Sequence, residues 1–207
     1  MSAEGGETAV FAFTPENARR AKVIIARYPP GRQASAVLAL LDLAQRQSGG
    51  WLPRAALDYV ADMLEMPRIR MYEVATFYTM FNLEPVGRYL VQVCTTTPCW
   101  LCGSSEVLEA CRDYLGIGVG ETTADGVFTL VEAECLGACC NAPMMQINDD
   151  YYEDLDAEST RRVLDMLKRG ETPKTGSQTG RTTSEPITGP TTLAGGAGAS
   201  RQAPGGS

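Results

Sequence analysis

Seven cysteines and no histidine occur in the 207 residues. Without imidazole there is no Ser-His or Cys-His couple, no His-ligated zinc and no Rieske-type centre. Thiol, metal and electron chemistry remain. The cysteines concentrate in two stretches, Cys94-Thr95-Thr96-Thr97-Pro98-Cys99 running on to Cys102, and Cys135-Leu136-Gly137-Ala138-Cys139 followed at once by Cys140. Each stretch directly follows a β-rich segment. If those segments are parallel strands of one crossover unit, both loops emerge at the C-terminal edge of the sheet, where α/β sheets place their ligands. Four thiolates can then converge, and a pair from each loop would supply the two sulfurs that each iron of a 2Fe-2S cluster needs.

Three other chemistries use the same residues. The spacing Cys94-x4-Cys99-x2-Cys102 matches plant-type ferredoxins, but Cys102 runs straight into a helix start at Gly103-Ser104-Ser105-Glu106, within an α/β pattern and not a β-grasp. A four-Cys zinc site tolerates gaps of this size. Cys99-Trp100-Leu101-Cys102 is a Cys-x-x-Cys beside a helix N-terminus, the arrangement of a thiol-disulfide oxidoreductase, although it leaves Cys135 and Cys139 without a role. Cys111 shares a helix face with Val107, Leu108 and Leu115 and reads as a small buried hydrophobe.

The elements that would position these loops follow from periodicity. Thr14-Pro15-Glu16 is a helix start, followed by Val23, Ile24 and Tyr28, with Pro29-Pro30 as the stop. A second helix is expected over about 34–47, with Val37, Leu38, Leu41 and Ala44 on one face before Gly49-Gly50. Pro53 opens a third, with Leu57, Val60, Ala61 and Leu64 inward. Pro67 opens a fourth, carrying Met71, Val74, Ala75 and Tyr78 to about Phe81. Four short helices make a small bundle. After Gly87 the pattern changes to strand 88–93, a polar loop, helix 104–115, strand 128–133, a hairpin flanking Asp149-Asp150, and a closing helix 157–168. That β-α-β-β-β-α order is the order of a small thioredoxin-like sheet. The fold class expected is therefore α+β: a flexible N-terminus (1–12), a helical bundle (13–86), a thioredoxin-like α/β domain (87–170) and a C-terminal tail (171–207). Of the 37 tail residues 24 are Gly, Pro, Ser or Thr and none is aromatic, so the tail is expected to be disordered.

Three separated segments resemble those of the small 2Fe-2S subunit of NADH:quinone oxidoreductase, respiratory complex I. They are Met71-Tyr72-Glu73-Val74-Ala75-Thr76-Phe77-Tyr78; Cys94-Thr95-Thr96-Thr97-Pro98-Cys99-Trp100-Leu101; and Glu134-Cys135-Leu136-Gly137-Ala138-Cys139 with Ala142-Pro143 behind it. The resemblance runs from about Phe13 to Lys168. It implies one 2Fe-2S cluster held by Cys94, Cys99, Cys135 and Cys139, which exchanges single electrons with the flavin of a partner. That partner is the flavin-bearing NADH-binding subunit, so FMN and NADH are expected on the partner only, with other peripheral-arm subunits nearby. Related small ferredoxin subunits serve NAD-linked formate dehydrogenases and hydrogenases, which are the alternative parents. On the family pattern Cys139, not the adjacent Cys140, is the ligand, and Cys102 is a free thiol near the cluster.

The remaining features read blandly. The acidic run from Asp149 to Glu158 fits no EF-hand and reads as a solvated hairpin and helix start. Gly116-Ile117-Gly118-Val119-Gly120 follows a helix instead of opening one, so no nucleotide site is assigned. The net charge of -7 disfavours nucleic acid as a partner. No apolar run reaches the length of a membrane span and the N-terminus has no apolar signal region. The expected location is cytoplasmic, peripheral on the inner face of the energy-transducing membrane as part of a complex.

Overall fold

The computed structural model of the chain describes residues 10–189 and residue 192. It divides into two compact units, Met1–Arg88 and Tyr89–Ser207.

The first unit is helical. Helix α1 (Pro15–Ile25) begins where the Thr14 hydroxyl accepts from the Asn17 N–H at 3.2 Å, with Pro15 at the first position. Ala21 is buried, whereas Val23 and Tyr28 are exposed, because the helix stops at Ile25 and turns its small residues inward. Helices α2 (Val37–Gln47), α3 (Arg54–Met63) and α4 (Arg68–Phe77) complete the bundle. Their core joins Leu40, Leu41, Ala44, Leu57, Val60, Ala61, Leu64, Met71 and Ala75. Tyr78 lies beyond the end of α4 and is exposed, while Phe81, also outside the helix, is buried. The expected flexible N-terminus extends to residue 12, but Phe11 stacks edge-on with Phe13 and Tyr59, and the Ala12 carbonyl accepts from Gln47 Nε2 at 2.8 Å. Aromatic burial orders these residues; residues 1–9 lie outside the described residues.

The second unit is a sheet of five strands in the order β2-β1-β3-β4-β5. Strand β1 (Tyr89–Cys94) feeds a five-residue helix α5 (Thr97–Leu101) and then α6 (Ser104–Leu115), after which β2 (Phe128–Ala133) returns parallel to β1. The polar loop expected after β1 thus contains a helical turn, with Pro98 at its start. Strands β3 (Met145–Ile147) and β4 (Asp150–Glu153) form an antiparallel hairpin on the other side of β1. Helix α7 (Ala157–Lys168) starts on a capping box between Asp156 and Ser159 and packs against α6. The core joins Val91, Val93, Phe128, Leu130, Met145 and Ile147 from the strands with Val107, Cys111, Val163, Leu164 and Leu167 from α6 and α7.

The fifth strand corrects the expected tail. Residues 176–177 form β5, parallel to β4, with Tyr152 opposite Gly176 and Glu153 opposite Ser177. The composition of this segment denies it a core of its own but not a place on an existing sheet edge. Residues 190, 191 and 193–207 of the expected tail lie outside the described residues.

Candidate functional site

The parallel register of β1 and β2 sets the site. Cys94, the last residue of β1, lies opposite Ala133, the last of β2, so the two cysteine loops leave the sheet side by side. The Thr95 N–H donates to the Ala133 carbonyl at 3.3 Å and the Cys94 N–H to the Met144 carbonyl at 3.2 Å, tying both loops to the edge. Cys94, Cys99 and Met144 are buried together, and Leu136, Ala138, Ala142 and Tyr151 pack around them. Residues of the second loop therefore form the wall of the pocket that holds the sulfurs of the first.

Cys94 and Cys99 are each 1% exposed, while Cys135, Cys139, Cys102 and Cys140 are exposed. The sulfurs of Cys135 and Cys139 are 3.5 Å apart. Cys94 and Cys99 influence each other's titration, and Cys139 feels the charge of Cys94 and of Cys135. The four sulfurs named by the resemblance thus stand as two neighbouring pairs, one buried and one open. Among the described residues no three Cys, Asp or Glu groups gather around a point that would hold a single metal ion.

The thiols differ electrostatically. Burial raises the Cys94 thiol, but the Thr96 hydroxyl and the N–H groups of Leu136 and Thr96 outweigh it and hold the thiol below its ordinary value. The Thr96 Oγ1 lies 3.3 Å from the sulfur. Burial, then the neighbouring Cys94, push Cys99 up to about 12, against the N–H of Met144. Cys139 is raised by its hydrogen bond with Cys135, then by desolvation and the charges of Cys135 and Cys94. Mutual repulsion of thiolates at this spacing marks a place where a cation would relieve several negative charges at once. The donors from Thr96, Leu136 and Met144 are the groups that stabilise metal-bound sulfur. The residues present fit an iron–sulfur cluster.

For the Cys-x-x-Cys chemistry the geometry is unfavourable. Cys99 is buried with its thiol pushed up, whereas a nucleophilic thiol is accessible and depressed. Several residues that hold the loops carry no signal in the sequence. Tyr151 donates its hydroxyl to the Leu136 carbonyl at 2.7 Å, and Asn141, 3% exposed, donates to Glu153 Oε2 at 2.9 Å. A Tyr on a hairpin and an Asn beside cysteines are too common to single out. Cys111 is buried in α6, as expected.

The fold and the paired thiols define a class. The model of the thioredoxin-like [2Fe-2S] ferredoxin family matches residues 21–168, and the chain belongs to that family. Within it, the chain is 60% identical over 158 residues to an NADH-quinone oxidoreductase subunit of Rickettsia bellii, a match covering 76% of this chain and 95% of that protein. It is 53% identical over 190 residues to the mitochondrial NADH dehydrogenase [ubiquinone] flavoprotein 2 of Dictyostelium discoideum, covering 92% and 77%. At such identity and coverage the chain belongs with these relatives, as a subunit of the NADH-quinone oxidoreductase type. Among solved structures, a chain of an NAD+-reducing [NiFe]-hydrogenase superposes with a TM-score of 0.57 at 22% identity over 65% of this chain and 23% of that one, a likeness of fold alone.

Proposed function

We propose that the chain is a one-electron carrier that holds a single 2Fe-2S cluster on Cys94, Cys99, Cys135 and Cys139 and serves NADH:quinone oxidoreductase, respiratory complex I. In this reading it exchanges electrons with the flavin of an NADH-binding partner subunit. FMN and NADH belong to that partner, and other peripheral-arm subunits complete the surroundings. The observation that carries the proposal is the arrangement of the four sulfurs as two pairs at the ends of two parallel strands, which offers two thiolates to each of two irons. The likeness to the Rickettsia bellii oxidoreductase subunit supports this parent complex over a formate dehydrogenase or hydrogenase.

When bound, the cluster supplies a one-electron acceptor and donor. The chain's own residues do the rest. Cys94 and Cys99 are buried and would shield the group they hold from water, and the N–H groups of Leu136, Thr96 and Met144 would stabilise negative charge on their sulfurs. Cys135 and Cys139 are exposed and would hold the group where a redox partner can approach. No proton moves at this site, in keeping with a chain devoid of histidine. Among the described residues no helix is long and apolar enough to cross a membrane, so in this reading the chain meets the membrane's inner face through its partners.

The test is anaerobic reconstitution of the full chain with iron and sulfide. The expected product contains iron and acid-labile sulfide in equal amounts and gives an electron paramagnetic resonance signal after dithionite. Cys135→Ser should abolish both, and Cys102→Ser should leave the iron content intact. Zinc bound in place of iron, or iron loss in the Cys102→Ser protein, would overturn the assignment.

A further inference from the structure

A guanidinium is almost never buried without a purpose, because its desolvation must be offset by partners. Arg181 lies in the Thr- and Gly-rich segment after α7, beyond the residues matched by the family model. Its side chain is only 11% exposed, and that of its partner Asp154 only 6%.

All of its nitrogens are engaged. Nε donates to Asp154 Oδ2 at 3.0 Å, Nη2 donates to Asp154 Oδ1, and Nη1 donates to the Glu185 carbonyl at 3.0 Å. Nη2 also donates to the Cys140 carbonyl at 2.9 Å. The carboxylate is held in turn, since Asp154 Oδ2 accepts from the Ser177 hydroxyl at 2.6 Å. The short turn Cys139–Asn141, which carries one proposed ligand, is gripped a second time by the same segment. Asn141 Nδ2 donates to the Thr183 carbonyl at 2.8 Å, and the Asp154 N–H donates to the Asn141 carbonyl at 2.8 Å. Strand β5 anchors the segment to β4.

We infer that residues 176–185 form a latch and that Arg181 is a positioning residue for the cluster, because its planar fork fixes the Cys140 peptide against Asp154 and so fixes the turn that aims the Cys139 sulfur. The inference rests on the proposed cluster. A lysine retains the charge but cannot bond Asp154 bidentately while reaching two carbonyls, so the role requires arginine. The tied carbonyl belongs to the Cys140–Asn141 peptide, so the fork holds the turn directly after the adjacent pair Cys139 and Cys140.

The test compares the full chain with Arg181→Met and Arg181→Lys. In the cluster-free proteins, amide hydrogen exchange should rise at Asn141 and Asp154 in both variants and stay unchanged in the bundle. In the reconstituted proteins, both variants should lose the cluster to a chelator about 10- to 100-fold faster, the size of effect expected when a group supporting a metal ligand is removed. Their electron paramagnetic resonance lines should broaden, a spectroscopic change that a distant packing defect would not produce. If Arg181→Met fails to fold, Arg181→Lys, which keeps charge and length, carries the comparison. Wild-type exchange and cluster loss in Arg181→Lys would overturn the inference, whatever Arg181→Met does. Failure of the wild-type chain to take up a cluster would instead overturn the proposed function, with the exchange data still deciding the latch.

Discussion

At the scale of single residues, Asp154 shows how burial and partners compete. Desolvation raises its pKa, but the hydrogen bonds from Arg181 and Ser177 and the guanidinium charge together lower it by more, and the carboxyl ends below the usual carboxylate range. The folded value therefore lies under the unfolded one. Its contribution to stability is complete above the unfolded pKa and is lost as pH falls through the folded one. Urea unfolding followed from pH 7 to about pH 3, spanning the unfolded value near 3.9, should show a loss of stability toward acid that is smaller in Asp154→Asn than in the wild type. An equal acid dependence in both proteins would mean that this pair does not govern it. The candidate ligands themselves are legible in the sequence, since type and spacing are local properties. Arg181 is not: nothing in a stretch of Thr, Gly and Ser marks one arginine as buried, because its partner Asp154 lies 27 positions away.

At the scale of elements, what can be read depends on length. The long periodic segments appear where their patterns and caps place them: α6 at Ser104–Leu115, β2 at Phe128–Ala133 and α7 at Ala157–Lys168. Helix α5 and strand β5 span five and two residues, too short to display a period of 3.6 or 2. In α1 close packing selects the small Ala21 and leaves Val23 outside, a choice that a hydrophobic periodicity does not display because aliphatic residues outrank alanine in it. Helix α7 offers two quantitative checks. Asp156 accepts from the Ser159 N–H at 2.7 Å, so Asp156→Ala should destabilise the cluster-free chain by about 1 kcal/mol in chemical denaturation. Leu164, fully buried between helix and sheet, should cost about 2–5 kcal/mol as Leu164→Ala, through lost transfer energy and the cavity left behind. A smaller loss for Leu164 than for Asp156 would mean that capping, and not packing, holds this helix in place.

At the scale of the whole molecule, the described residues build two large hydrophobic cores with no residue in common, one among α1 to α4 and one between the sheet and α6 and α7, beside the small cluster of Cys94, Cys99 and Met144. The change from period 3.6 to period 2 after Gly87 foretells that division, but the sequence does not show how the segment after α7 returns to the cysteine loops. All seven cysteines lie in the second unit, so their reactivity reports on that unit alone. In the reduced, cluster-free chain a thiol reagent should react quickly with Cys102, Cys135, Cys139 and Cys140 and slowly with Cys94, Cys99 and Cys111, which are buried. A substitution in the bundle separates the two cores further. Leu41→Ala removes a fully buried side chain of the first core and should lower the stability of that unit by about 2–5 kcal/mol, while the pattern of fast and slow thiols persists under native conditions. Should Leu41→Ala instead turn the slow thiols fast, the two cores would fold as one cooperative unit, and the thiol environment would then depend on the bundle as well as on the sheet edge that carries the cysteines.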